Sequence, residues 1–291
     1  MTFGTVAILG PGLIGGSLAL ALAERGLADK LVIYARSALA LDAIRTAGVD
    51  AELTGNPSEA VRDADVVVLC VPIEAMPALV HEIRDALKPT ALVTDVGSVK
   101  GSVDRDLAPL LDDRALWIGS HPMAGSEQAG FSAARPDLFE GAAVIVTPTK
   151  LTRPEAESRA KQFWEALGAR IFIYEPKIHD RFVGEISHLP HLLAAALANH
   201  ASRDALELAG GGFRDTTRIA SGSPELWVEI LSANREAVSS SLALLLANLV
   251  KAHDFIEKGE KTELLKLLQQ AQHARSQLVE KEQKLHLNKR Q

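Results

Sequence analysis

The segment Gly10-Pro11-Gly12-Leu13-Ile14-Gly15 constrains this chain more than any other feature. It follows an apolar, β-branched run at 5–9 and opens a helical pattern at 13–25. In that strand–turn–helix setting each glycine has a mechanical duty: a tight turn, close backbone approach to a pyrophosphate, and close helix–strand packing. The helix start then presents free N–H groups and partial positive charge to phosphates. A dinucleotide site is expected here, with Gly10, Gly12, Leu13, Ile14 and Gly15 in contact with the cofactor.

Further strand patterns fall at 31–34, 65–71, 91–95, 117–119, 143–147 and 170–174, with helical patterns at 39–47, 73–87 and 153–167. Such alternation reads as a doubly wound, mostly parallel sheet of the Rossmann type. The unbroken run Val66-Val67-Val68-Leu69-Cys70-Val71 suits a central strand buried on both faces. From Pro176 onward no β-rich run occurs, only helical periodicity broken by glycines. The expected division is a dinucleotide-binding domain over 1–175 and an all-α domain over 176–291. The stretch 261–291 is rich in Lys, Gln, Glu and Leu. Its leucines pack on their own domain or on a partner chain, or it is a charged surface helix; both readings are open.

The end of the second strand selects the dinucleotide. An NAD site usually places a carboxylate there for the ribose 2′-hydroxyl. Here the chain reads Tyr34-Ala35-Arg36-Ser37. Arg36 and Ser37 suit a 2′-phosphate, so NADP is favoured and NAD is the alternative. Arg36 as a solvated loop residue beside an N-cap at Ser37 is the competing reading. Val71-Pro72, at another strand end on the same edge, is expected to touch the cofactor or to be a structural turn.

A net charge of −6 gives no electrostatic reason to expect nucleic acid or an anionic membrane as partner. Charged residues make up 23% of the chain and hydrophobic ones 47%, which argues against disorder. No signal peptide or spanning segment is read, and the lone Cys70 in an apolar run fits a reducing, cytoplasmic setting.

Three segments carry candidate chemistry. His121, stiffened by Pro122 at a strand's end, suits a general base, and Ser98 is a plausible helix N-cap in Asp95-Val96-Gly97-Ser98-Val99-Lys100. His188 and His191 are three apart and share a helix face, with Pro190 expected to kink that helix. His179, nine residues earlier, falls near the opposite face at helical pitch, so a metal site is not expected. Arg214 and Arg218, four apart, suit capture of an organic acid, or are a surface pair balanced by Asp215 and Glu225.

Taken together, GPGLIGGS at 10–17, DVGSVK at 95–100, HPMAGSE at 121–127, SHLPHL at 187–192 and FRDTTRIA at 213–220, with Trp227 beyond, resemble the prephenate/arogenate dehydrogenase family. The resemblance implies a Rossmann domain, a helical dimerisation domain and thus a homodimer. It also implies oxidative decarboxylation of prephenate or arogenate, on the route to tyrosine, in a cleft between the domains. It assigns His121 as the base, Ser98 as a holder of the substrate hydroxyl and the base, and Arg218 as the grip on a carboxylate. His191 would contact substrate, with His188 and Arg214 beside it, and Trp227 would close the far side. For an arogenate ammonium, Glu127 or Asp180 could serve. A β-hydroxyacid dehydrogenase or imine reductase is the competing enzyme class, but it typically relies on a lysine in the helical half, where residues 176–230 offer Lys177 alone. A nucleotide-sensing scaffold without turnover is the non-enzymatic alternative.

Overall fold

A computed structural model of the protein describes residues 2–128 and 130–288, with side chains as far as Val279. The last three residues of the charged tail therefore lie outside the described residues. The chain forms two compact units, Met1–Val238 and Ser239–Gln291.

The first unit is built on six parallel strands: β1 (Thr5–Leu9), β2 (Lys30–Tyr34), β3 (Glu52–Thr54), β4 (Val66–Leu69), β5 (Leu92–Asp95) and β6 (Leu116–Trp117). Their order is β3-β2-β1-β4-β5-β6. Between them run α1 (Leu13–Glu24), α2 (Ala38–Thr46), α3 (Pro57–Val61), α4 (Met76–Ile83) and α5 (Gly101–Leu111), and α6 (Pro154–Ala166) follows later in the chain. Because successive side chains of a strand point to opposite faces, β1 and β4 each feed two cores. Val6, Ile8, Val66 and Val68 pack with Leu18 and Leu22 of α1 and with Phe163 and Trp164 of α6. Ala7, Leu9, Val67 and Leu69 pack with Val80 and Ile83 of α4 and with Val103 and Leu107 of α5. Each such large apolar side chain contributes roughly 1.5–3 kcal/mol by burial. The strand order reverses between β1 and β4, and ligands of such sheets bind outside the carboxyl ends at that point.

Two strand expectations need correction. The segments at 143–147 and 170–174 do not extend the large sheet. They form β8 (Ala143–Thr147) and β9 (Arg170–Ile173) of a separate three-stranded sheet whose third member is β7 (Gly119–Met123). His121 therefore lies within a strand, opposite Ile145 in an antiparallel ladder, rather than in a loop past a strand's end. Pro122 is tolerated because β7 is an edge strand, where a missing N–H costs no ladder bond. The three-residue β3 has too short a pattern to be read from sequence.

From Pro176 the chain is helical as expected: α7 (Pro176–Val183), α8 (Leu189–His200), α9 (Arg203–Glu207), α10 (Gly211–Thr217), α11 (Pro224–Ala233) and α12 (Arg235–Glu257). A π turn, Gly184–His188, joins α7 to α8 in an unbroken helical run, with the Leu189 amide bonded to the Gly184 carbonyl and Pro190 directly after it. The expected kink thus takes the form of a π turn. The second unit consists of the remainder of α12 and α13 (Lys261–Asn288), and it exposes Leu244, Leu246, Leu249, Leu265 and Leu268. No helix among the described residues is long and apolar enough to cross a membrane.

A Cβ at Gly15 would lie 2.1 Å from the Gly10 carbonyl oxygen, whereas one at Gly12 would meet nothing within 4 Å. Gly15→Val is expected to lower the unfolding free energy by about 1–3 kcal/mol. Gly12→Ala should change it by less than about 0.5 kcal/mol. Urea denaturation of both variants checks this; equal midpoints would contradict the close packing at Gly15.

Candidate active site

At the carboxyl edge of β1 the turn is built for close approach. Gly10 has φ +109°, and a Cβ there would lie 2.6 Å from the Cys70 carbonyl oxygen and 3.0 Å from Val71. The Val71-Pro72 loop is therefore packed on the glycine turn. Gly12 is the N-cap of α1, with no side-chain cap and no acidic residue in the first turn. The first amides of α1 are thus without intrahelical acceptors, and the space above Gly12 is open. These residues fit a dinucleotide pyrophosphate. At the end of β2, Arg36 and Ser37 are exposed, and neither side chain has a hydrogen bond or ion pair among the described residues. Burial, with Asp95 adding to it, pushes the Cys70 thiol well up, so Cys70 behaves as an apolar residue.

Next along the edge, β5 ends in Asp95, which is fully buried with Lys100. The Lys100 ammonium pairs with Asp95 Oδ2 and donates to the Ser120 carbonyl at 2.8 Å. Asp95 also accepts from the amides of Gly97 (2.8 Å) and Ser120 (3.2 Å), and Thr94 Oγ1 meets Ser120 Oγ at 2.8 Å. β7 is thereby fastened to β5 one residue before His121. Burial lowers the Lys100 pKa, and Asp95 offsets part of that.

The expected N-cap at Ser98 is overturned. α5 starts at Gly101, and its cap comes from a distant residue: the Asp180 carboxylate accepts from Lys100 N (2.7 Å) and Gly101 N (2.8 Å). Ser98 is half-buried and has no side-chain hydrogen bond among the described residues. Asp180 also accepts from His179 Nδ1 at 2.8 Å, and His179 Nε2 lies 2.8 Å from His121 Nδ1. His179 is thus inside the cluster, not on a remote face. The π turn breaks the 3.6-residue count on which that expectation rested.

Burial of His121, then His179, Lys100 and His188, drives its pKa well below the ordinary value, so the imidazole is neutral near pH 7. His188 falls to about 4, through burial and then His179. Burial raises the Asp180 carboxyl, but its bonds from His179, Lys100 and Gly101 outweigh that and hold it below the ordinary range. Asn234 Nδ2 donates to the Asp180 carbonyl at 2.7 Å and lies 3.0 Å from His188 Nδ1. His191 stacks on Trp227 with ring centroids 3.5 Å apart, while His188 meets the same ring edge-on at 6.1 Å. The pair does share a face. Gly222 makes that stack possible, since a Cβ there would lie 2.8 Å from Trp227 Nε1.

α10 ends at Thr217 and Arg218 opens a 3-10 turn, so the two arginines lie on successive helical elements. Arg218 pairs with Glu127 at 2.9 Å, while Arg214 is exposed with no ion pair among the described residues. Glu229 of α11 accepts from the Glu74 amide at 2.6 Å, which fastens α11 to the turn after Pro72.

Two family models match this chain: prephenate dehydrogenase, nucleotide-binding domain, over residues 18–173, and prephenate dehydrogenase, dimerization domain, over 175–270. The chain belongs to the prephenate dehydrogenase family. It is 34% identical over 280 residues to cyclohexadienyl dehydrogenase of Zymomonas mobilis, covering 94% of this chain and 95% of that relative. Among solved structures it is similar to prephenate dehydrogenase from A. aeolicus in complex with hydroxyphenyl propionate and NAD+. That similarity has TM-score 0.88 and 31% identity, over 96% of this chain and 99% of that one. It is also similar to Synechocystis arogenate dehydrogenase, with TM-score 0.81 and 33% identity, over 94% and 99% of the two chains. The two matched domains meet between residues 173 and 175, where the β-containing half gives way to the helical half.

Sequence reasoning missed Asp95, Lys100, His179, Asn234 and Gly222 as members of the site. Asp95 and Lys100 stand inside a segment that it did single out, and the adjacent His179-Asp180 was the one other available signal. Removing the Lys100 charge strands a buried carboxylate. Lys100→Met is expected to cost about 3–5 kcal/mol, and the double variant with Asp95→Asn should recover part of that loss. Chemical denaturation of the three proteins checks it; a single variant as stable as the parent would contradict the pairing.

Proposed function

We propose that this protein oxidises and decarboxylates prephenate, arogenate or both, to 4-hydroxyphenylpyruvate or tyrosine in tyrosine biosynthesis, with NADP as the preferred acceptor. The observation that carries the reading is a neutral, buried His121 on a strand fastened to the carboxyl edge of the nucleotide-binding sheet. The A. aeolicus relative binds NAD+, which supports a nicotinamide cofactor. Arg36 and Ser37, exposed and without a side-chain partner among the described residues, support a 2′-phosphate on it.

In this reading Gly10, Gly12, Leu13, Ile14 and Gly15 hold the pyrophosphate through backbone amides, with Val71 and Pro72 beside them. The nicotinamide, when bound, supplies the hydride acceptor. His121 takes the proton of the substrate's ring hydroxyl, and Ser98 helps to hold that hydroxyl. As the ring carboxylate leaves as carbon dioxide, its bonding electrons enter the ring and aromatise it. The new phenolic oxygen, with an ordinary pKa near 10 against ~6.5 for imidazole, takes the proton back from His121. The reaction then balances without net proton release.

Arg218 receives the side-chain carboxylate, since a grip on the departing one would stabilise the ground state. Its surface pair with Glu127 is worth only about 0–1 kcal/mol and is readily exchanged for substrate. His191, His188 and Trp227 line the substrate, and Arg214 adds positive charge at the surface. Asp180 is saturated by three donors, which leaves Glu127 as the candidate contact for an arogenate ammonium. The junction of the two family models at residues 173–175 supports a domain boundary near Pro176, inside the first compact unit, and the exposed leucines of α12 and α13 support a homodimer.

His121→Asn is expected to lower kcat by about 10²–10⁴-fold while cofactor affinity stays constant; unchanged turnover would sink the base assignment. Only neutral His121 can accept a proton, and its pKa is depressed. The acid limb of kcat/KM should therefore fall below the ordinary imidazole value, with activity kept as pH drops through about 6.5 and lost only lower. Arg36→Ala should raise KM for NADP by about tenfold and leave KM for NAD unchanged, corresponding to one charge-assisted bond of roughly 1.5 kcal/mol.

A further inference from the structure

We propose that His179 and Asp180 are positioning residues that fix His121 as the Nδ1–H tautomer and leave Nε2 as the atom that takes the substrate proton. This inference rests on the reading of His121 as the base. The hydrogen bonds leave one consistent proton arrangement. Asp180 receives the amides of Lys100 and Gly101, both of which can only donate, so its carboxylate is an acceptor. His179 Nδ1, 2.8 Å from Asp180 Oδ1, must therefore carry a hydrogen. Burial keeps His179 neutral, so its Nε2 offers a lone pair. His121 Nδ1, 2.8 Å from that nitrogen, must then be the donor. A neutral His121 protonated on Nδ1 has its base at Nε2, which has no protein partner among the described residues.

The same row stabilises the imidazolium while the proton resides there. Protonation at Nε2 strengthens the Nδ1–H bond to His179, and the Asp180 carboxylate lies at the far end to compensate the charge. The charged and titratable groups facing His121 and His179 are Lys100, His188, Asp95 and Asp180. Lys100 and His188 disfavour a charged His121, which makes the carboxylate at the end of the row the compensating group. Asp180 also caps α5, so one side chain sets both the base and the loop that carries Ser98. Substitution of Asp180 would therefore confuse two roles, and His179 is the cleaner position to change.

Two measurements test the inference together. Nitrogen-15 NMR of histidine-labelled wild-type protein, with signals assigned from His121→Asn and His179→Gln spectra, reads the tautomers directly and needs no active variant. Both His121 and His179 are expected as Nδ1–H at neutral pH; finding His121 as Nε2–H would overturn the inference. In kinetics, His179→Phe should lower kcat by about 10²-fold, with KM nearly constant and the acid limb displaced. His179→Gln, whose amide oxygen can accept from Nδ1–H, should recover most of that loss. Wild-type kcat in the Phe variant, or equal losses in both variants, would overturn it. His121→Asn separates the two levels. If it abolishes turnover while His179→Phe behaves as wild type, only the positioning role fails; if it keeps full turnover, the base assignment itself fails.

Discussion

The buried ion pair between Lys100 and Asp95 is the interaction on which the site's geometry depends. Without the Lys100 bond to the Ser120 carbonyl and the Asp95 bond from the Ser120 amide, the polar contact left between β7 and the end of β5 among the described residues is that of the Thr94 and Ser120 hydroxyls. Fastening β7 places His121 beside the carboxyl end of β5, on the edge proposed to hold the dinucleotide. A buried pair like this is weak evidence for net stability, because desolvation opposes its attraction. Its value here is positional, since an ammonium with several N–H donors can join a carboxylate to a distant carbonyl, which an apolar pair cannot.

Asp180 does the complementary work from the helical half. Helix α7 projects it onto the start of α5, where it takes the place of a local N-cap. The next residue back, His179, turns toward His121. One dipeptide therefore ties the loop after β5 to the histidine on β7. The cluster contains three histidines kept neutral by burial, and its charges are confined to Lys100, Asp95 and Asp180. A neutral His121 beside fixed charges suits the proposed role, in which it borrows a proton and returns it.

The Rossmann half was legible because its signals are local. The glycine turn, the Val-rich strand and the alternation of periods each follow from a few neighbouring residues, whereas the spatial order of the strands and the short β3 do not. His121 stands out for its residue type and its place after the strand at 117–119, yet it lies inside β7, an edge strand that admits Pro122. Edge position depends on partners far along the chain. The same holds for Asp180, whose capping role spans eighty residues, and for His179, whose facing depends on a π turn no periodicity count anticipates. For Arg218 the partner is Glu127, ninety-one residues away, which the Arg214–Arg218 spacing does not reveal. Long-range hydrogen bonding by polar residues leaves little trace in a single sequence.

The most direct measurement of the central claim is the product ratio during turnover. Purified protein with NADP, offered prephenate and arogenate separately, should release carbon dioxide and reduced nicotinamide in equal amounts with at least one of the two. Hydride transfer without carbon dioxide, or no turnover with either acid in the presence of NADP or NAD, would contradict it.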